Sequence, residues 1–436
     1  MKSLPLAALV AVQLALAPAA YAKLSKAESS MAKTVEAEQA RSLALLERLV
    51  NQNSGTLNLP GVEKVGQMMR AELEPLGFAV TWKPTPETKR AGHLIAVHKG
   101  RDDAKRLLLI AHLDTVFEPD SPFQKFVRNG DMGEGPGAGD DKGGMVVIVS
   151  ALRAMQAAGT LKDANIEIHM TGDEEDAGEP TDLSRADLIA AGKRSDIALD
   201  FEGLVRDNGA DMGSIARRSS ESWTVTATGQ TGHSSGIFSD GVGDGAIYEL
   251  ARILHRFRTE LPEPNLTFNV GLIAGGESAS VDAGGIRAVA TGKTNIIAPA
   301  AIARGDLRTL SVEQANRVKA KMAAIVADHA PATGATLGFD PVGYPAMAPT
   351  DGNRALLAKL NGVNRDLGLA EMAPLDPLKR GAGDISFVAA DVDGLAGLGP
   401  HSIGDHAPGE AVDIPSISRQ ATRAAILMSR LSAEKR

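Results

Sequence analysis

The sequence predicts an α/β fold, in which helices flank a mostly parallel sheet and an α+β domain is inserted into the chain. Short apolar runs, Leu107 to Ala111 and Asn165 to Met170, have the length of buried parallel strands. Between them, Gly143 to Gly159 carries apolar residues at the i, i+3, i+4 spacing of a helix that packs on a sheet. From about residue 214 to Tyr344 the predicted order becomes strand, helix, strand, strand, helix, strand, which is the ferredoxin-like order.

Length, composition and charge restrict the class of protein. A chain of 436 residues, 43% of them hydrophobic, is too long for one core and suggests two domains. The net charge is -8 and no basic run is present, which argues against nucleic acid as a partner. Cysteine is absent, so a metal site would have to use histidine and carboxylate ligands.

The amino terminus has the pattern of a secretory signal. Lys2 precedes an apolar stretch from Leu4 to Ala19, and Ala20 to Ala22 forms an A-x-A cleavage site. We therefore expect residues 1–22 to be a signal peptide, the mature chain to begin at Lys23, and the protein to be secreted or periplasmic. No later apolar run reaches membrane-spanning length, so no membrane partner is expected after signal cleavage.

The chain up to the first apolar run is predicted to contain helices followed by strands. Apolar residues at helical spacing predict one amphipathic helix from Lys23 to about Asn53. A second helix and three strands are expected at Gly61 to Leu76, Phe78 to Trp82, His93 to His98 and Arg106 to Ala111.

The first candidate site follows the strand that ends at Ala111. His112 and Asp114 stand two residues apart and point the same way along an extended chain, so one could bind a metal while the other orients it. A glycine-rich loop, Gly133 to Gly139, then leads to Asp140 and lets carboxylates approach a cation closely. The His-x-Asp pair alone is equally compatible with a surface turn that carries a solvated histidine.

Acidic residues follow two further predicted strands. Asn165 to Met170 runs into Thr171 to Asp176, which could be a solvated acidic turn or a set of ligands at a strand's carboxyl end. The strand Asp196 to Phe201 is followed by Glu202. Asp200 would face the same side and remains an alternative to Glu202.

The inserted domain is predicted to extend over residues 214–344. Its elements are expected at Ser222 to Thr228, Gly245 to Phe257, Leu266 to Ile273, Asn295 to Arg308, Val312 to His329 and Thr336 to Phe339. Either Leu266 to Val270 or Ser222 to Thr228 is expected to be an edge strand that pairs with a second copy of the chain. Residues 23–213 and 345–436 then form the other domain, which resumes with a helix from Gly352 to Leu367.

The His-x-Asp pair, the glycine-rich loop and the sequence Asp-x-Lys-Gly-Gly at Asp140 to Gly144 together resemble the M20 family of di-zinc metallopeptidases, which includes carboxypeptidase G2 and acetylornithine deacetylase. The resemblance implies two Zn²⁺ ions per subunit, with Asp140 bridging them. It implies Glu174 as general base and Asp114 as the residue that orients His112. The implied metal ligands are His112, Asp140, Glu175, Glu202 and His406.

Two departures from the family's usual residues and one residue spacing affect these assignments. Gly203 stands where the family usually has proline after the carboxylate ligand. Gly383 stands in the substrate-binding loop, where relatives usually carry Ser or Thr before the aspartate. The last ligand is expected four residues before a glutamate, which selects His406 with Glu410 and not His401. In relatives the peptide that corresponds to Asp140-Asp141 is cis.

The resemblance also assigns residues of the inserted domain, which it identifies as a lid and dimerisation domain. His233 would be supplied to the partner subunit of a homodimer and stabilise the oxyanion, while Asn269 and Arg308 would bind substrate. The alternative for His233 is a polar loop residue without a catalytic role. The alternative for Arg308 is an ordinary cation at the end of a strand.

The function implied is hydrolysis of the amide bond to a C-terminal amino acid by an exported, zinc-dependent carboxypeptidase, with a small peptide as substrate. A deacylase of N-acyl amino acids needs the same residues and stays the first alternative. A non-catalytic secreted protein that captures metal or peptide is the second.

Overall fold

The computed structural model describes residues 24–436. The predicted signal peptide, residues 1–22, lies outside the described residues. The first part of the chain forms six helices and nine strands: α1 (Lys26–Ala37), α2 (Gln39–Val50), α3 (Leu59–Leu73), β1 (Ala79–Thr85), β2 (Arg90–His98), β3 (Arg106–His112), β4 (Val127–Asn129), β5 (Met132–Glu134), α4 (Lys142–Ala157), β6 (Asn165–Thr171), α5 (Thr181–Ser184), α6 (Ala186–Arg194), β7 (Ile197–Asp200), β8 (Arg206–Asp207) and β9 (Ala210–Asp211).

The middle of the chain and its last part complete the described structure. The middle comprises β10 (Ser220–Gly229), β11 (Gly232–His233), α7 (Gly245–Glu260), β12 (Thr267–Phe268), β13 (Leu272–Gly276), β14 (Ser278–Val281), β15 (Ala288–Thr291), β16 (Ile296–Ile297), β17 (Ala300–Arg308), α8 (Val312–Ala327) and β18 (Thr333–Tyr344). The last part comprises α9 (Asp351–Asp366), β19 (Gly394–Leu395), β20 (Ser402–Ile403), β21 (Ala411–Asp413) and α10 (Ile414–Ala433).

The larger sheet has six strands in the order β1-β2-β6-β3-β7-β19. Strands β6, β3, β7 and β19 pair in parallel, whereas β1 and β2 are antiparallel. Alternate residues of β3 enter two different hydrophobic cores, Leu107 and Leu109 on one face and Leu108 and Ile110 on the other. The first core includes residues of α1 to α4, α9 and α10, and the second includes residues of α6. Both faces of the sheet are therefore covered, as parallel strands require.

The smaller sheet is antiparallel and has its own core. Its strands run in the order β12-β17-β10-β18, with β13 also paired to β17. Trp223, Val225 and Ala227 alternate along β10 and pack with buried residues of α7 and α8, including Ile253 and Met322. The predicted fold class, an α/β domain with an inserted ferredoxin-like α+β domain, is confirmed.

The two connections between these parts lie side by side. The amide of Arg217 donates to the carbonyl of Met347 at 3.0 Å, and the amide of Met347 donates to the carbonyl of Arg217 at 2.9 Å. The chain thus enters and leaves the inserted part through one short antiparallel bridge.

Four predicted elements differ from the structure. The single helix expected from Lys23 to Asn53 is broken at Glu38, whose carboxylate accepts hydrogen bonds of 2.6 and 2.7 Å from Arg153. The strand Leu266 to Ile273 is divided into β12 and β13, and the strand Asn295 to Arg308 is divided into β16, which pairs with β11, and β17. The hairpin of β14 and β15 was not predicted. Ser222 to Thr228 is wrong as an edge, because β10 pairs with β17 on one side and β18 on the other.

Within residues 24–436, no helix combines the length and the apolar character that crossing a membrane requires.

Candidate active site

The candidate site is assembled at the carboxyl ends of three neighbouring parallel strands. β3 ends at His112, β6 ends at Thr171 just before Glu174 and Glu175, and β7 ends two residues before Glu202. Because β6, β3 and β7 are adjacent and parallel, their carboxyl ends meet at one edge of the sheet. Asp140 reaches the same place from the loop before α4, and His406 from the loop between β20 and β21.

Four of the five expected ligands form one cluster. His112 Nε2 lies 3.0 Å from Asp140 Oδ1, and His406 Nε2 lies 3.1 Å from both Asp140 Oδ2 and Glu175 Oε2. His112, Asp140 and Glu175 each offer one ligand atom, and these three atoms lie within 4.8 Å of one another. This mixture of imidazole and carboxylate suits zinc, so these residues fit a metal ion. The Asp140-Asp141 peptide is cis, as expected.

The carboxylates of the cluster set the protonation of its histidines. Hydrogen bonds to Asp140 and Glu175 raise the pKa of His406 to about 11. Burial alone would lower the pKa of His112, but hydrogen bonds with Asp114 and Asp140 raise it well above its ordinary value. Burial raises the pKa of Glu174, and the neighbouring charge of Glu202 raises it further. Dense negative charge of this kind is what a bound cation would neutralise.

Asp114 holds the loop that carries the two adjacent glutamates. It is fully buried, and its carboxylate accepts hydrogen bonds from the amides of Glu174, at 3.0 Å, and Glu175, at 3.1 Å. The hydroxyl of Thr56 donates a third, at 2.7 Å. His112 Nδ1 lies 3.2 Å from the carbonyl and 3.4 Å from the carboxylate of Asp114. Asp114 thereby fixes His112 relative to Glu174 and Glu175.

Glu410 fixes the glycine-rich loop in a similar way. Its carboxylate accepts hydrogen bonds from the amides of Gly137, Gly139 and Asp140 at 3.2, 2.8 and 3.1 Å. The spacing that selected His406 in the sequence thus reflects a contact: Glu410 holds the loop that presents Asp140.

The fifth expected ligand, Glu202, lies in a different environment. Its Oε2 is 2.6 Å from Arg217 Nη1 and 3.3 Å from Arg380 Nη2. The alternative, Asp200, also pairs with Arg217 Nη1, at 3.1 Å. Gly383 makes this arrangement possible, because a Cβ at that position would lie 2.2 Å from Arg217 Nη1 and 2.4 Å from Glu202 Oε1. The departure at Gly383 therefore has a steric cause in this chain.

A cavity of about 460 Å³ opens at the cluster. Its wall includes the acidic side chains of Asp140, Glu174 and Glu202 and four cations, Arg206, Arg217, Lys379 and Arg380. The cavity therefore combines residues that fit a metal with cations that attract an anion.

The residues predicted in the inserted domain lie apart from this cavity or at its margin. Within the described chain, His233 is exposed and contributes nothing to the cavity wall. Asn269 is also exposed, and its amide donates to the carbonyl of Asp306. Arg308 comes within 3.8 Å of the position that a Cβ on Gly381 would take, and Gly381 is part of the wall.

Sequence reasoning missed a buried arginine that supports Glu174. Arg185 Nη1 lies 2.5 Å from Asp173 Oδ1, its Nε lies 2.8 Å from Asp384 Oδ1, and its Nη2 donates to the Tyr344 hydroxyl at 2.9 Å. The hydroxyl of Tyr344 in turn donates to the carbonyl of Glu174 at 2.7 Å. Arg217 and Arg380 were also missed, although Arg380 belongs to the Lys-Arg-Gly-Ala-Gly-Asp stretch before Ile385.

Comparisons with known proteins agree with this architecture. Carboxypeptidase G2 of Pseudomonas sp. (strain RS-16) is 28% identical over 417 residues, 91% of each chain. Acetylornithine deacetylase of Proteus mirabilis is 29% identical over 222 residues, 48% of this chain and 54% of that one.

Solved structures share the fold. A tripeptidase of Staphylococcus aureus has a TM-score of 0.68 at 17% identity, covering 91% of this chain and 99% of that one. A Bacillus subtilis protein described as a dinuclear metal binding peptidase has a TM-score of 0.63 at 16% identity, with the same coverage. The sequence model of peptidase family M20/M25/M40 matches residues 108–430. Since that match covers well over half of the described residues, the chain belongs to peptidase family M20/M25/M40 and is a hydrolase.

Proposed function

We propose that this chain is an exported, zinc-dependent carboxypeptidase that hydrolyses the amide bond to a C-terminal amino acid. The observation that carries the proposal is the cavity of mixed charge, in which Glu174, Asp140 and His406 line a space also lined by Arg206, Lys379 and Arg380. A substrate whose scissile carbonyl lies at the cluster could place a free carboxylate against the cations. Membership of a hydrolase family removes the alternative of a non-catalytic capture protein.

The proposed roles follow from the geometry of each residue. His112, Asp140, Glu175 and His406, with Glu202, would hold two Zn²⁺ ions. When bound, such ions supply Lewis acidity that polarises an amide carbonyl and makes water more acidic. Glu174 would accept a proton from the attacking water and transfer it to the leaving nitrogen, since it lines the cavity next to a ligand. Asp114 would orient His112 and the Glu174 peptide.

The substrate assignment is tested with matched peptides. A dipeptide with a free C-terminal carboxylate should be cleaved at least about a hundredfold more efficiently than its C-terminal amide, because only the first can pair with the cations. Peptides ending in Glu, Asp, Leu or Arg would define the preferred residue. Activity should be lost on dialysis against a chelator and return with Zn²⁺. Equal cleavage of acid and amide would contradict the carboxypeptidase proposal.

A deacylase of N-acyl amino acids is the second candidate. It is favoured by relatives named acetylornithine deacetylase and succinyl-diaminopimelate desuccinylase. N-acetyl and N-succinyl amino acids assayed beside the dipeptides separate the two, because a carboxypeptidase should prefer the peptides. Export is tested separately: mass spectrometry of secreted protein should give Lys23 as its first residue.

Dimerisation through the inserted domain is part of the proposal. Within one chain His233 lies away from the cavity, so it would have to act in the partner's site to stabilise an oxyanion. Strands β12 and β13 form an edge of the smaller sheet. Val270, between the two strands, is 39% exposed, and Ile273, in β13, is 61% exposed. Pairing of this edge with its copy would position one inserted domain beside the other subunit.

A complementation assay tests donation between subunits. Mixing inactive His233→Ala with inactive Glu174→Gln should restore about a quarter of the wild-type activity if subunits exchange randomly, since one site per mixed dimer is then complete. If exchange is verified by mass and no activity returns, His233 acts within its own chain or has no role in catalysis.

A further inference from the structure

The imidazole ring of His233 is held by the residue two positions further along the chain. The amide of Ser235 donates to Nδ1 of His233 at 3.2 Å, and the hydroxyl of Ser235 lies 2.9 Å from the same nitrogen. His233 thereby caps the short 3₁₀ turn Ser234–Gly236 with its own side chain. Both His233 and Ser235 are exposed, so the ring is open to a group from outside this chain.

These two contacts determine which ring nitrogen carries the proton. A backbone amide can only donate, so Nδ1 of His233 must offer its lone pair and cannot itself be protonated. The hydroxyl of Ser235 could donate or accept, and beside an unprotonated nitrogen it donates. In a neutral imidazole the remaining proton is then on Nε2. His233 is thus arranged to donate a hydrogen bond through Nε2.

The backbone beneath the ring is fixed by other contacts. Strand β11, which ends at His233, pairs with β16, and Ile297 of β16 is 2% exposed. The amide of Ser234 donates to the carbonyl of Asn295 at 3.0 Å. These contacts anchor the main chain, whereas the contacts of Ser235 reach the ring itself. The orientation and the tautomer of the ring therefore depend on Ser235.

We propose that Ser235 is a positioning residue for the reaction, which presents His233 to the substrate as an Nε2–H donor. An oxyanion is stabilised by a donor that is already in place. The other tautomer would direct the lone pair of Nε2 at the oxyanion and repel it. The inference rests on the proposed role of His233 in the partner's site. It adds which atom of the ring acts and which residue keeps the proton there.

NMR spectroscopy of the ring tests the tautomer directly. In zinc-loaded mature protein labelled with ¹⁵N-histidine, long-range ¹H–¹⁵N correlations distinguish protonated from unprotonated ring nitrogens at about pH 8.5, where imidazole is neutral. The signals of His233 are identified by their absence from the His233→Gln spectrum. Wild type should carry the proton on Nε2. Ser235→Ala should shift the Nδ1 signal, because that nitrogen loses one of its two donors.

Kinetics test whether this contact serves the reaction. Ser235→Ala should lower kcat for the dipeptide by about two- to tenfold, with KM changed by less than about twofold, because one hydrogen bond of ordinary strength is lost behind a group that acts in the transition state. Ser235→Thr keeps the hydroxyl and should bring both kcat and the Nδ1 signal back to wild-type values.

Ser234→Ala is the matched control. Ser234 contacts Asn295 through its backbone amide, and removing its hydroxyl leaves that bond in place. This variant lies next to Ser235 in the same turn and should match wild type both in kcat and in the ring signals of His233.

The outcomes separate this inference from the proposed function. A wild-type His233 with its proton on Nδ1 overturns the inference, and so does an unchanged kcat in Ser235→Ala. A lower kcat with unchanged ring signals also overturns it, since Ser235 would then act on something other than His233. If wild type cleaves neither peptides nor N-acyl amino acids, the proposed function fails, and the spectra still decide the tautomer.

Discussion

Replacement of Arg185 by methionine is predicted to destabilise the protein strongly and to slow catalysis. The guanidinium is fully buried and serves two carboxylates, Asp173 at 2.5 Å and Asp384 at 2.8 Å, whose side chains are 0% and 3% exposed. Methionine fills a similar volume but leaves both carboxylates buried without their cation. Breaking a buried ion pair from one side costs about 3–5 kcal/mol, and the value here should be near the top of that range because two partners are affected.

The expected loss of unfolding free energy corresponds to a measurable fall in the unfolding temperature. At about 2 °C per kcal/mol for a large domain, Arg185→Met should unfold roughly 8–10 °C below wild type. Differential scanning fluorimetry of both proteins in the same buffer measures this. The control is Arg365→Met, which removes a surface pair with Glu371 whose side chains are 50% and 54% exposed, and which should cost no more than about 1 kcal/mol.

The same substitution should reach the active site through Tyr344. Arg185 donates to the Tyr344 hydroxyl, which donates to the carbonyl of Glu174. Loss of the first bond removes the contact that positions Tyr344 and so weakens its hold on the Glu174 peptide. We expect kcat to fall more than KM rises, since Glu174 is assigned a role in proton transfer. An unfolding temperature within about 2 °C of wild type would refute the reasoning, because about 1 kcal/mol is a surface-pair value.

The remaining predictions concern single carboxylates. Glu174→Gln should lower kcat by a factor of about 10²–10⁴ while both metals stay bound, whereas Glu175→Gln should lose a metal. Elemental analysis measures the bound metal. The reverse pattern would mean that the assignment is shifted by one residue. Burial opposes ionisation of Glu167, but hydrogen bonds from His169 and Arg194 outweigh it and lower its pKa to about 2. Its stabilising contribution is therefore present above the unfolded-state pKa near 4.5 and lost as pH falls towards 2. Glu167→Gln should cost about 2–3 kcal/mol at pH 7 and nothing near pH 2 in urea unfolding, and a pH-independent difference would contradict this.

The parts of the site that follow strands could be predicted from sequence, because adjacent parallel strands end at the same edge. His112, Glu174, Glu175 and Glu202 each follow a short apolar run, and the structure brings those ends together. His406 could be predicted only through its spacing to Glu410, which the contacts of Glu410 with the Asp140 loop now explain.

The arginines could not be predicted in the same way, because some of the contacts that hold them come from distant parts of the chain. Arg185 contacts Asp384, 199 residues away, and Arg217 contacts the carbonyl of Gly381, 164 residues away. No local sequence pattern distinguishes an arginine that stays at the surface from one that is buried against carboxylates. The hairpin of β14 and β15 was not predicted for another reason. Its residues are small and mostly exposed, so the alternation of apolar and polar residues that indicates a strand is weak.

Two residues that contact the acidic side of the site, Arg217 and Tyr344, lie at the connections between the two parts of the chain. Arg217 belongs to the entering connection and contacts Glu202, while Tyr344 ends β18 at the leaving connection and contacts Glu174. Glu202 and Glu174 are therefore both contacted by residues of the connections, which Met347 and Arg217 join by two backbone hydrogen bonds. A rotation of the inserted domain about this bridge would move Arg217 and Tyr344 with it. It follows that the orientation of that domain and the charge around Glu202 are mechanically linked, so a change at the bridge should alter metal binding even though no ligand is touched.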